Sequence, residues 1–152
     1  IHDKSYLDGR RIRTFQGSQA HPESLQKIVE SIGPLKVIID DGSHQNDHTI
    51  STFLNLFPLL ADDGIYVIED TQTSYWKVFG GDNNDLNSSS TTMGLMKRLV
   101  DGLNYNEREI ACEPTYFDRH ITAIHFYHNL VFIQKGLNNE ASNVPLSDRT
   151  RI

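Results

Sequence analysis

Two β-branched runs separated by a helical stripe constrain this chain more than any other feature. Leu35 to Ile39 runs into Asp40-Asp41-Gly42-Ser43-His44, and Gly64 to Ile68 runs into Glu69-Asp70. Between them, His48 to Leu60 places Ile50, Phe53, Leu54, Phe57 and Leu60 at helical spacing, the stripe that an amphipathic helix turns toward a core. Strand, helix and strand in that order default to parallel neighbours joined by a right-handed crossover. The expected fold class is therefore α/β. Open parallel sheets bind their ligands at the carboxyl ends of the strands, and both acid pairs stand there.

If the two strands are neighbours, Asp41, Glu69 and Asp70 converge on one small volume. Carboxylates so crowded repel unless a cation lies among them, and a hard divalent ion with oxygen ligands is the simplest solution. His44 then stands beside that ion as a candidate base, because an imidazole exchanges its proton near neutral pH. Paired acids at a strand end also cap the following helix, and Asp40 is read as structural or donor-facing rather than as a ligand. His44 and His48 are four residues apart, but HExxH is absent and no cysteine ligands accompany them, which disfavours zinc.

Elsewhere, Arg10 to Gly17 reads as a short strand with Ile12 and Phe15 as its apolar members. His21 to Ile32 and Met93 to Leu103 read as helices, the first stopped by Gly33-Pro34. Asp62-Asp63-Gly64 reads as a tight turn. Ile121–Tyr127 and Leu130–Lys135 flank His128-Asn129 and read as an antiparallel hairpin that closes the sheet. The polar run from Asp82 to Thr92 is long for a connection, which marks it as functional or disordered. Tyr75 and Trp76, just past the second acid pair, read as core or as a wall against a substrate.

The bulk numbers narrow the function. With 152 residues the chain holds one domain's worth of core, and its net charge of −6 argues against nucleic acid or an anionic membrane as the main partner. No apolar run reaches the ~18 residues of a bilayer span. One cysteine, Cys112, excludes an internal disulfide and suits a reducing, cytoplasmic compartment.

The blocks RIRTFQGSQ (11–19), DDGSH (40–44) and IEDTQTSYW (68–76) together resemble the metal-dependent, S-adenosylmethionine-dependent sugar O-methyltransferases of macrolide and polyketide tailoring. The resemblance covers roughly residues 1–135. It implies a Rossmann-like class I methyltransferase sheet, mostly parallel, with a C-terminal antiparallel hairpin. It implies an enzyme that moves a methyl group from S-adenosylmethionine to a sugar hydroxyl of a glycoside, natural product or polysaccharide, with magnesium as cofactor. Asp41, Glu69 and Asp70 match the family's metal ligands and His44 its general base. Gln16, Gly17, Ser18 and Gln19 match the segment that borders the donor's adenine. Asp3 and Asp40 are assigned to the donor side, and Tyr75 and Trp76 to the acceptor.

The family's glycine-rich loop has no counterpart here, since no G-x-G motif precedes the first strand. The expectation is that the first strand and the glycine loop lie upstream of Ile1. Residues 1–137 would then be a partial catalytic domain and 138–152 a polar, fraying tail. The full-length protein is expected to be a homo-oligomer, and the chain alone to be weakly active or inactive. The alternatives are a non-catalytic methyltransferase-like domain and a cephalosporin-hydroxylase-like metal enzyme. The first keeps the sheet without turnover, and the second acts without a methyl donor.

Overall fold

The computed structural model describes residues 3–110 and 112–149. Its elements are α1 (Pro22–Ile32), β1 (Leu35–Asp40), α2 (Asn46–Leu56), β2 (Leu60–Glu69), α3 (Thr92–Leu103), α4 (Tyr116–His120), β3 (Ile121–Tyr127), β4 (Leu130–Lys135) and α5 (Leu146–Arg149). The strands form one sheet in the order β1-β2-β4-β3. The β1–β2 pair is parallel, as strand–helix–strand order requires, and the β3–β4 hairpin adds antiparallel to β2. Asp40 pairs with Ile68 across the parallel pair. That register brings the acids following β1 level with those ending β2.

One face of the sheet carries the core. Ile38, Tyr66, Ile68, Ile121, Val131 and Ile133 pack there against Phe53, Leu56, Phe57, Met96 and Leu99 from the helical layer. Phe53 centres an aromatic group, edge-on to Tyr66 with ring centroids 5.2 Å apart and stacked on Phe117 at 5.4 Å. Lys135 ends β4 inside this layer. Its ammonium donates to Pro58 O (2.9 Å) and Leu60 O (2.5 Å) and lies over the Phe57 and Tyr116 rings. Those carbonyls satisfy a charge that burial otherwise makes costly. Side chains alternate across a strand, and Val37, Ile39 and Ile65 stand exposed on the opposite face.

Three expectations are corrected. Arg10 to Gly17 is not a strand. Ile12 and Phe15 are exposed, and Thr14 turns back to the Asp8 carboxylate instead of entering a ladder. The tight turn at Asp62-Asp63-Gly64 is an irregularity inside β2: the register jumps from Leu35–Leu60 to Val37–Ile65, and Asp63 takes a left-handed φ of 58°. A Cβ on Gly64 would lie 2.6 Å from Leu60 Cγ, so the chain folds over itself there only because that residue is glycine. The helix expected over His48–Leu60 begins at Asn46 and ends at Leu56. Pro58, which has no N–H, redirects the chain through a short 3₁₀ turn, Phe57–Leu59, into β2. Its buried face is Thr49, Thr52, Phe53 and Leu56, with Leu54 exposed.

Over its described residues the polar tail bonds back onto the domain. Asn138 donates to Leu103 O and Asp118 O, and Arg149 pairs with Glu107 at 3.1 Å. No helix among the described residues is long and apolar enough to cross a membrane.

Candidate functional site

The turn after β1 and the end of β2 meet at three side chains. One ligand atom from each of Asp41, His44 and Asp70 lies within 4.8 Å of the other two. His44 Nε2 is 3.7 Å from Asp41 Oδ1 and 3.4 Å from Asp70 Oδ2. The backbone pays for this approach: His44 and Asp70 both hold left-handed conformations, with φ of 57° and 54°. Such strain in residues other than glycine concentrates at functional sites. The Gln72 amide donates to Asp70 Oδ1 at 2.9 Å, which leaves Oδ2 for the cluster. Gln72 Oε1 is a buried acceptor without a partner among the described residues.

Glu69 is not in this cluster. It is the last residue of β2, half-buried and paired in register with Leu130. By strand alternation it leaves the sheet on the side of Val67, opposite to Tyr66 and Ile68.

Asp40, only 7% exposed, faces the core side and accepts from Gln19 Nε2 (3.1 Å) and the Tyr66 hydroxyl (3.3 Å). Burial pushes its carboxyl above the usual range, against the pull of those two hydrogen bonds. Burial also raises the Tyr66 phenol, with Asp40 alongside adding to the effect. Gln19 does more than line the site. Its amide also donates to Thr52 Oγ1 (3.2 Å), and its Oε1 accepts from Ser43 N (2.6 Å). It thereby ties the segment before α1 to the turn that carries Asp41 and His44. A recess of about 230 Å³ opens here, lined by Gln19, Leu25, Ile38, Asp40, Asp41 and Gly42 among others.

The other expected donor residues stand apart from these bonds. Gln16 and Gly17 are exposed, and Ser18 Oγ accepts from Ala20 N. The Asp3 carboxylate accepts from Ser5 N and Ser5 Oγ, which hold its pKa below the usual value. No hydrogen bond among the described residues joins Asp3 to Gln19 or Asp40. Tyr75 and Trp76 are 38% and 49% exposed, so they are surface-facing rather than core. They follow Asp70 through the 3₁₀ turn Thr71–Tyr75. The run Asp82–Thr92 is folded: Asp82 accepts from Asn84 N and Asp85 N, and Thr91 caps α3 through Gly94 N.

The residue that sequence reasoning missed is Asn46, 1% exposed at the start of α2. Its Nδ2 donates to Thr73 O and Phe79 O, and its Oδ1 accepts from Thr92 N and Ser74 Oγ. An asparagine near a helix start reads as an ordinary polar position, so only its place two residues after His44 gave any signal.

No family profile matches the chain. It is 45% identical over 142 residues to demethylmacrocin O-methyltransferase of Streptomyces fradiae, and 44% identical to mycinamicin VI 2''-O-methyltransferase of Micromonospora griseorubida. Each match covers 92% of this chain and 36% of the relative. The fold matches the solved MycE methyltransferase from the mycinamycin biosynthetic pathway in complex with Mg, SAH and mycinamycin VI. That match has a TM-score of 0.86 at 45% identity, over 93% of this chain and 36% of the other. The chain is similar in sequence and fold to part of these O-methyltransferases. It spans a little over one third of the length of the relatives it matches.

Proposed function

We propose that this chain carries the metal and base side of a magnesium-dependent transfer of a methyl group from S-adenosylmethionine to a sugar hydroxyl of a glycoside. The observation that carries the reading is the convergence of Asp41, His44 and Asp70 beside the recess lined by Gln19 and Asp40. The donor set fits a hard cation: two carboxylates flank an imidazole, and a third, Glu69, immediately precedes Asp70 at the end of β2. The reading assigns Asp41, Glu69 and Asp70 to the ion. His44 is left free as base, because magnesium favours oxygen over nitrogen ligands.

Bound there, magnesium supplies Lewis acidity and a template for neighbouring hydroxyls. The protein supplies the rest. His44 Nε2 takes the proton of the attacking hydroxyl as the new oxygen–carbon bond forms and the carbon–sulfur bond of the sulfonium breaks. The electron pair of that bond leaves with the thioether sulfur. Gln19 and Asp40 border the donor's adenine end, and Tyr75 and Trp76 form a wall for the sugar. Holding nucleophile and methyl group in line contributes much of the acceleration.

The net charge of −6 and the lone cysteine suit a cytoplasmic enzyme that does not bind nucleic acid. The same reading makes the full-length protein a homo-oligomer, which sedimentation tests. Methyl transfer from S-adenosylmethionine to mycinamycin VI and related macrolide or polyketide glycosides tests the function. Turnover by the full-length protein is expected to vanish with a chelator and return with magnesium. Turnover indifferent to the chelator, or absent with all of these glycosides, contradicts the reading.

A further inference from the structure

We propose that Asn46 is a positioning residue that locks the two halves of the metal site together; the inference rests on the metal-dependent reading above. The halves come from different parts of the chain. Asp41 and His44 sit on the turn after β1, and Asp70 ends β2 in a left-handed conformation. The parallel ladder fixes neither turn relative to the other, because both acids lie beyond its last paired residues; the β2–β4 side holds Asp70 only toward β4, through Glu69 opposite Leu130 and Thr71 N to Asn129 O at 3.2 Å.

Asn46 supplies a direct link between the two turns. It lies two residues after His44, and its Nδ2 donates to Thr73 O at 3.1 Å, three residues after Asp70. The second proton of the same amide reaches Phe79 O at 2.9 Å. On the other side, Oδ1 accepts from Thr92 N at 2.7 Å and from Ser74 Oγ at 3.2 Å. A carboxamide has two donors and two acceptor sites, and all are used. Ser74 Oγ accepts in turn from Met93 N at 3.1 Å, so the network also holds the start of α3.

An asparagine that served only its own helix would bond locally. These four bonds instead reach 27 to 46 residues along the chain. They fix the Thr71–Tyr75 turn from inside, while the chain beyond it returns onto the same turn through Gly81 N to Trp76 O and Asp82 N to Ser74 O. A Cβ on Gly81 would lie 2.5 Å from Thr73 O and from Trp76 N, so the fit there is close. Asn46 thus sets where Asp70 stands relative to Asp41 and His44 without touching any of them.

The test is titration of the full-length protein with magnesium alone and, separately, with S-adenosylhomocysteine, in wild type, Asn46→Asp and Ser74→Ala. Asn46→Asp keeps the shape and both acceptors but turns a carboxylate oxygen toward two carbonyls. Groups that orient metal ligands typically contribute about tenfold or more to affinity. The expected result is therefore a loss of at least about tenfold in magnesium affinity, with S-adenosylhomocysteine affinity held within about twofold. Ser74→Ala removes one contact and is expected to lose magnesium affinity about threefold, a fraction of that effect. A folded Asn46→Asp protein with wild-type magnesium affinity overturns the inference, as does a parallel loss of both ligands. If Asn46→Asp does not fold, Ser74→Ala decides, and wild-type magnesium affinity in that variant overturns it. Wild-type protein that binds no magnesium defeats the underlying reading, a different outcome from variants that match a binding wild type.

Discussion

His44 Nε2 lies 3.4 Å from Asp70 Oδ2, and both residues hold left-handed backbone conformations, with φ of 57° and 54°. The two turns are bent to bring an imidazole and a carboxylate face to face, although they are 26 positions apart in the chain (70 minus 44). That approach sets the imidazole nitrogen beside the carboxylates that the proposed function gives to the ion, within reach of a hydroxyl bound there.

His44→Ala removes the base and keeps the carboxylates. Turnover is expected to fall by about 10²–10⁴-fold, the usual share of general base catalysis. Magnesium affinity is expected to stay near wild type. Steady-state kinetics with parallel magnesium titration check this; retained turnover removes His44 from the role, and a matching loss of magnesium binding makes it a ligand.

Gly42→Ala probes the Gln19 clamp. A Cβ at position 42 would stand 2.0 Å from Gln19 Oε1. The glutamine side chain is able to swing away, but only by giving up its bonds to Ser43 N, Asp40 and Thr52. At about 1 kcal/mol for each of the three hydrogen bonds, the variant is expected to lose up to about 3 kcal/mol of stability. S-adenosylhomocysteine affinity is expected to fall more than magnesium affinity, because the clamp borders the recess. Equal affinity for S-adenosylhomocysteine in Gly42→Ala and wild type would place the donor elsewhere.

The loop after Trp76 depends on pH through Asp82. Hydrogen bonds from Asp85 N and Asn84 N hold its carboxyl below the usual carboxylate range. A depressed folded-state pKa contributes order above the unfolded value and loses it as pH falls through the folded value. Amide exchange at Asn84 and Asp85 should therefore be slow at neutral pH, and its protection should drop in acid, below the ordinary carboxylate pKa. Asp82→Asn should show reduced protection with little pH dependence across the same window. Identical profiles for the two proteins would remove Asp82 as the anchor.

Much of the fold was legible because burial and periodicity coincide. The continuous apolar runs of β1 and β2 and the β3–β4 hairpin follow the expected segments, and the DDGSH block stands where the α/β pattern puts a ligand. Arg10 to Gly17 misled because alternation says nothing about whether a neighbouring strand is present to pair with. Asp62-Asp63-Gly64 carries turn chemistry, and the structure uses it to kink a strand. Asp41, His44 and Asp70 meet as their positions suggested, whereas Glu69, the last paired residue of β2, stands outside their 4.8 Å cluster, because the left-handed turn at Asp70 and not strand alternation decides which acids close together. Asn46 was invisible because its partners are main-chain groups, which leave no mark on the sequence.

The most direct test of the central claim is isothermal titration of magnesium into full-length wild-type protein and its Asp41→Asn variant. Wild type should bind magnesium, and Asp41→Asn should bind at least about tenfold more weakly, because a carboxylate ligand has been replaced by a neutral amide. Equal affinity in the two proteins, or no binding by folded wild type, would contradict the account and leave these acids as turn-forming residues.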